Sequence, residues 1–171
     1  MATAPEQRKM VWGLVQQWSQ DPRTRHLLAT IIKDRKPPPR DGLALARAVQ
    51  SWAQDNVRYT REAEETIAAP WRTAQWGIGD CDDLACLIAS VLRNARMPVR
   101  LASCGWSLDP RIKPSFTHIY ARAFPRDAWV TLEAVRPVPL GFDPALLHAA
   151  QGHRVRVAEI GDATPTQPVS A

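Results

Sequence analysis

The chain has 171 residues, enough for one domain with a buried core and no need of disulfides or metal. Hydrophobic residues make up 45% and charged residues 23%, an ordinary globular mixture, and no apolar run is long enough for a membrane-spanning helix. The formal charge of +5 comes mostly from scattered arginines, which suits acidic partners but brings no nucleic-acid recognition motif with it.

Residues 6–20 carry Val11, Leu14, Val15 and Trp18 at helical spacing. The amphipathic pattern there is not that of a secretory leader. Asp21-Pro22 predicts a second helix start, with aspartate as cap and proline in the first turn. That helix runs through Leu27, Leu28, Ile31 and Ile32 and stops before Lys36-Pro-Pro-Pro-Arg40, where three prolines favour an extended linker. Asp41-Gly42 opens a third helix, ending near Asn56, and Val57–Thr60 reads as extended. Residues 61–76 read as a polar, irregular connector. From Asp80 to about Arg96, the positions Leu84, Leu87, Ile88, Val91 and Leu92 form a clear helical stripe.

After Met97-Pro98 the period changes to that of strands. Residues 99–103, 117–124 and 128–135 are strand-like, 154–159 add a fourth strand, and the polar tail from Gly161 reads as disordered. The pattern predicts an α+β fold with helices first and an antiparallel sheet after them. It divides into an N-terminal helical segment (1–40), a core (41–160) and a tail (161–171).

Three cysteines, Cys81, Cys86 and Cys104, are an odd and sparse set without metal-ligand spacing, which predicts free thiols in a reducing cytoplasm and no bound metal or cofactor. Cys81 lies in Gly79-Asp80-Cys81-Asp82-Asp83-Leu84, in the first turn of the most regular helix. Unpaired N–H groups and the helix dipole favour a thiolate there. The three aspartates work against this unless they cap the helix. Cys86, about 140° round the helix, and Cys104 read as core and strand residues.

His118 and Glu133 fall in successive strands. A four-residue turn at Phe124–Asp127 would pair Ala123 with Ala128, Tyr120 with Thr131 and His118 with Glu133, close enough for an imidazole–carboxylate hydrogen bond. The sheet must then be covered on both faces, with the Cys81 helix over the polar one. His26, His148 and His153 have no partners at a recognisable spacing.

Gly-Asp-Cys-Asp-Asp-Leu-Ala (79–85), Arg-Met-Pro-Val-Arg (96–100), Thr-His-Ile-Tyr (117–120) and Trp-Val-Thr-Leu-Glu (129–133) together resemble the transglutaminase-like superfamily of papain-like thiol enzymes. The likeness runs from about Trp52 to Leu140. With Asn56-Val-Arg-Tyr59 and Glu65-Thr-Ile-Ala-Ala-Pro70 it is similar to the transglutaminase-like proteins of phage and prophage gene clusters. It implies a transglutaminase-like core with the catalytic helix packed on the sheet, Cys81 as nucleophile and His118 as base. Glu133 stands where the family usually has aspartate, and a carboxylate one methylene longer can still orient a histidine. Gln75, six residues before Cys81, is at a spacing where papain-like enzymes often place an oxyanion-hole glutamine; Trp76 and Trp106 are candidate cleft walls.

The implied function is cysteine-dependent acyl transfer on amide bonds of a protein or peptide substrate, as a peptidase, amidase or transglutaminase. Phage structural proteins are implied partners and a virion is an implied location. The alternatives are a transglutaminase-like phage assembly protein with a weak or idle site, and a binder of acidic partners.

Overall fold

Asp21, Asp41 and Asp80 each start a helix, for the same reason. The first N–H groups of a helix have no partner within it, and an aspartate carboxylate just ahead can accept from them. The computed structural model describes residues 4–61 and 66–165. In it Asp21 accepts from Arg23 N–H and opens α2 (Pro22–Arg35); Asp41 accepts from Ala44 N–H and opens α3 (Gly42–Asn56). Asp80 accepts from the N–H groups of Asp82 and Asp83 and opens α5 (Cys81–Asn94). Ahead of them, α1 covers Ala4–Trp18.

Two short helices depart from the sequence expectation. The supposed connector contains α4 (Pro70–Trp76), started by a first-turn proline and stopped by Gly77 in the left-handed region (φ 65°). After the sheet, α6 (Pro144–Ala150) has Asp143 as its cap and Pro144 next, the same signature as Asp21-Pro22. Each has only seven residues, too few for a periodic stripe to show. Glu65 and residues 166–171 lie outside the described residues.

Four antiparallel strands form a sheet in the order β5-β4-β3-β6: β3 Val99–Ser107, β4 His118–Ala123, β5 Val130–Leu132 and β6 Arg154–Gly161. A separate parallel pair joins β1 (Arg58–Tyr59) to β2 (Ile78–Gly79), just before α5. The β4–β5 register differs from the expected one by two residues: Ala123 pairs with Val130 and Ala121 with Leu132. Phe124 donates its N–H to Pro98 O (2.9 Å) and sets its ring edge-on to Trp129, centroids 5.4 Å apart. Both contacts lengthen the loop. A shift of two preserves the side-chain faces, whereas a shift of one would have reversed them.

The sheet is covered on both faces, but the helices are distributed the other way round from expectation. The apolar face, with Leu101, Ile119, Ala121 and Leu132, joins Leu84, Leu87, Ile88 and Val91 of α5 in one cluster. That cluster continues into Val11 and Val15 of α1 and Leu27 and Ile31 of α2. Eleven of the fourteen α5 residues are buried, and each large aliphatic side chain contributes roughly 1.5–3 kcal/mol of transfer free energy. Such a helix needs an apolar counter-surface. The polar face instead receives α6, whose Ala145 packs with Ala102, Cys104 and Tyr120.

The start of the tail is tied down. Asp162 exchanges hydrogen bonds with Val99, accepting its N–H at 3.0 Å and donating to its carbonyl at 2.9 Å. Thr164 Oγ1 accepts from the Trp129 indole at 3.0 Å. No helix among the described residues is long and apolar enough to cross a membrane.

The segment before β4 crosses β3 at Gly105, where a Cβ would lie 1.7 Å from Ser115 O and 3.2 Å from Phe116 Cα. Gly105→Ala should therefore destabilise the chain by about 3 kcal/mol, read as a lowered urea midpoint with an unchanged slope.

Candidate active site

Cys81 is the first residue of α5, and the motif around it is built to start that helix. Asp80 and Asp83 form a reciprocal capping box, Asp83 Oδ2 accepting from Asp80 N–H at 3.2 Å. Asp83 Oδ1 also accepts from Ala68 N–H at 2.7 Å. A Cβ on Gly79 would stand 2.9 Å from Asp83 Cβ and 3.0 Å from Thr73 Cγ2, so only glycine lets β2 run this close to the helix start. Asp80 and Asp83 thus spend oxygens on capping the helix, as the sequence predicts, although Asp80 remains close enough to the sulfur to raise its thiol.

The third does not. Asp82 Oδ2 accepts from Gln7 Nε2 at 2.8 Å, while its Oδ1 lies 3.6 Å from Cys81 Sγ and accepts the thiol proton. Burial and the charges of Asp82 and Asp80 push the Cys81 thiol up to about 12. A hydrogen bond from Ile119 N–H pulls it down without prevailing. The activation expected from the helix terminus is therefore outweighed in the resting site: desolvation and two adjacent carboxylates oppose one partial dipole charge.

That Ile119 N–H also locates the sulfur at the first turn of α5, against the start of β4, where His118 is the neighbouring residue. Tyr59 is a further neighbour; its phenol is raised by burial and then by Cys81, Asp80 and Asp82. The sequence shows Tyr59 only as part of an extended segment, and no local pattern links it to the cysteine.

His118 Nε2 and Glu133 Oε2 are 2.5 Å apart, and Glu133 is only 2% exposed. The expected partners meet diagonally across the strands rather than face to face, a consequence of the two-residue register shift. Glu133 Oε1 accepts from Val135 N–H at 2.7 Å. Gln54 of α3 donates through Nε2 to the carbonyls of Glu133 (3.0 Å), Arg136 (2.8 Å) and Val138 (2.9 Å), fixing the backbone beyond β5. Beside the pair, Tyr120 and Thr131 hydroxyls donate to the two oxygens of Asp143, each at 3.2 Å. Burial and Asp143 raise the Tyr120 phenol. Cys104 pairs with His118 in the β3–β4 register and is fully buried, its thiol pushed up to about 12 by burial and the charges of Asp143 and Glu133.

Other candidate residues lie elsewhere. Gln75 is exposed on α4 and lines a cavity of ≈ 470 Å³ with Pro22, His26 and Trp71, on the α2 side of the fold. Trp76 is 55% exposed, and Trp106 stacks on His148 at 3.7 Å beneath α6. His148 and His153 are not partnerless as the spacing suggests; their Nδ1 atoms are 3.1 Å apart. Asp80, Cys81 and Asp82 bring donor atoms within 4.8 Å of one another, but these donors are engaged by the helix cap, Gln7 and the thiol.

A family model described as the transglutaminase-like superfamily matches residues 27–134, more than half of the chain. The chain belongs to the transglutaminase-like superfamily. Among solved structures, this transglutaminase-like chain is similar to a candidate cysteine protease from Cytophaga hutchinsonii, with 20% identity, a TM-score of 0.50, and coverage of 86% of this chain and 55% of that one. It is also similar to a candidate protease from Parabacteroides distasonis, with 8% identity, a TM-score of 0.57, and coverage of 78% and 27%. Both share the transglutaminase-like fold, and the chain spans less than two thirds of either. No curated protein matches it.

The folded Cys81 thiol keeps its proton to about pH 12, against 9.0 for an ordinary cysteine. Between those values the unfolded chain has lost a proton that the folded chain holds, so stability falls as pH rises through that window. Alkylation of Cys81 should climb over the same range, and Asp82→Asn should shift the profile to lower pH. Mass spectrometry of iodoacetamide-treated protein reads this; a profile unmoved by the substitution would remove Asp82 as the proton's partner.

Proposed function

We propose that this chain is a cysteine-dependent acyl-transfer enzyme acting on amide bonds of protein or peptide substrates through Cys81, His118 and Glu133. The His118–Glu133 hydrogen bond carries the proposal. It engages Nε2 with a buried carboxylate, so Nδ1 is the ring nitrogen left to take a proton. A surface charge pair would not need a carboxylate this deeply buried and held at both oxygens.

In this reaction His118 Nδ1 takes the Cys81 proton, and the sulfur attacks the substrate carbonyl carbon. Asp80 occupies the N–H groups of Asp82 and Asp83, which leaves the Cys81 N–H as the first-turn donor for the developing oxyanion. Collapse breaks the C–N bond, the amine leaves with the proton from His118, and a thioester remains. Water or a second amine, deprotonated by His118, then resolves it. Glu133 holds the ring and stabilises its protonated form throughout. Asp82 must give up the thiol first, and a carbonyl seated beside Sγ would displace that contact.

The same Asp82 contact favours a second reading, in which the fold is kept for an assembly role and the site is idle. One experiment separates the two. A quenched peptide pool and a protein with a fluorescent primary amine are offered to the wild type and to Cys81→Ser, His118→Ala and Glu133→Gln. The enzyme reading expects the first two substitutions to abolish turnover, and Glu133→Gln to reduce kcat by about a hundredfold or more. Asp82→Asn should raise the rate at neutral pH. Wild-type rates no higher than those of Cys81→Ser would establish the idle site.

A further inference from the structure

The Lys36-Pro-Pro-Pro-Arg40 segment has no part in the chemistry above, yet it forms one wall of a cavity of ≈ 400 Å³. The cavity lies at the C-terminal end of α5, beside Ala95 and Arg96. A helix of fourteen residues puts it about 20 Å from Cys81. We propose that this cleft binds an acidic peptide segment of a partner protein, seating one apolar side chain between flanking carboxylates.

The floor is apolar: Leu45, Met97 and Phe124, with Ile32 exposed at the opening. Pro37, Pro38 and Pro39 bring no N–H donors and a backbone already fixed in φ; Pro38 O already accepts from Asp41 N–H at 3.3 Å, which leaves the carbonyls of Pro37 and Pro39 as the wall's acceptors. An extended chain laid against them can donate its own N–H groups at little ordering cost to the wall.

The rim is cationic. Arg40 comes from the α2–α3 linker, Arg96 from the α5–β3 turn and Arg126 from the β4–β5 loop, so positive charge surrounds the apolar floor from three separate connections. Asp41 is the one acid in the lining; it accepts from Ala44 N–H at 3.0 Å and lies 3.8 Å from Arg126. Arg126 is thus partly answered by Asp41, and Arg40 and Arg96 carry the remaining positive charge of the rim. A single fatty carboxylate would answer one of them, while a peptide with acidic residues on both sides of a leucine answers several.

The backbone is also specialised here. Lys36, Arg40 and Arg96, with φ of 50°, 61° and 62°, are the non-glycine residues of left-handed conformation among the described residues, and all three flank this cleft. Lys36 and Arg96 owe it to helix termination, Lys36 donating its N–H to Ile32 O at the end of α2 and Arg96 to Arg93 O after α5, so two helix ends converge on the cleft. A Cβ on Gly42 would lie 2.6 Å from Pro125 O, so the α3 start and the β4–β5 loop are already in close contact.

The binding needs no turnover and is measured apart from it. A fluorescein-labelled Asp-Glu-Glu-Leu-Glu-Asp peptide is titrated by anisotropy against the full chain. Saturable binding is expected, at least tenfold weaker for Arg40→Glu/Arg126→Glu and for Ile32→Glu, and for a peptide with serine in place of leucine. Circular dichroism checks the fold of each variant, and Ile32→Glu decides if the double variant is not folded. Binding unaffected by these changes, or no saturable binding, overturns the proposal. So does equal binding by a single-stranded oligonucleotide of the same charge, which would make the rim a general anion surface.

Discussion

A carboxylate taken out of water must find donors, and Glu133 is among the most buried side chains in the chain. Its two oxygens are met by His118 and by the Val135 N–H, and its carbonyl by Gln54. The carboxylate is thus satisfied from β4 and from the segment after β5, while Gln54 ties the backbone of the same residue to α3. His118 is oriented as a by-product. The His118 ring is positioned by the same bond that makes the buried glutamate tolerable.

The helix starts were legible because aspartate caps and proline signals act within a few residues. Asp21, Asp41 and Asp80 cap where the sequence places them. Proline alone at Ala69-Pro70, and aspartate with proline at Asp143-Pro144, start two further helices that no periodic stripe announces, because each has only seven residues. The faces of β4 and β5 were readable from alternation, but their register was not. It depended on Phe124 bonding to Pro98 and packing on Trp129, contacts whose partners are not set by the turn alone. Tyr59, Gln54 and Asp143 reach the site from segments distant in sequence, each through a residue type common on surfaces.

Cys81 shows two demands meeting at one helix end. Starting α5 calls for carboxylates at its first turn, and a thiolate calls for their absence. Asp80 and Asp83 reconcile the demands by spending their oxygens on backbone N–H groups. Asp82 does not, and the sulfur keeps its proton. The Cys81 thiol is therefore held protonated by its burial and by the charges of Asp82 and Asp80, and Asp82 is itself tethered to Gln7 of α1.

The sheet order leaves two open margins. β5 has only three residues, too short to template another chain, but β6 runs for eight and exposes Val157. An edge strand of that length invites pairing with a second molecule. Its sequence alternates Arg154 and Arg156 with the valines, Glu159 is drawn into ion pairs with Arg100 and Arg122, and Arg156 lies over the Phe116 ring at 4.3 Å. Charge on that margin makes edge-to-edge stacking costly. Two copies laid edge to edge along β6 would bring these arginines against one another, so the margin carries its own electrostatic guard.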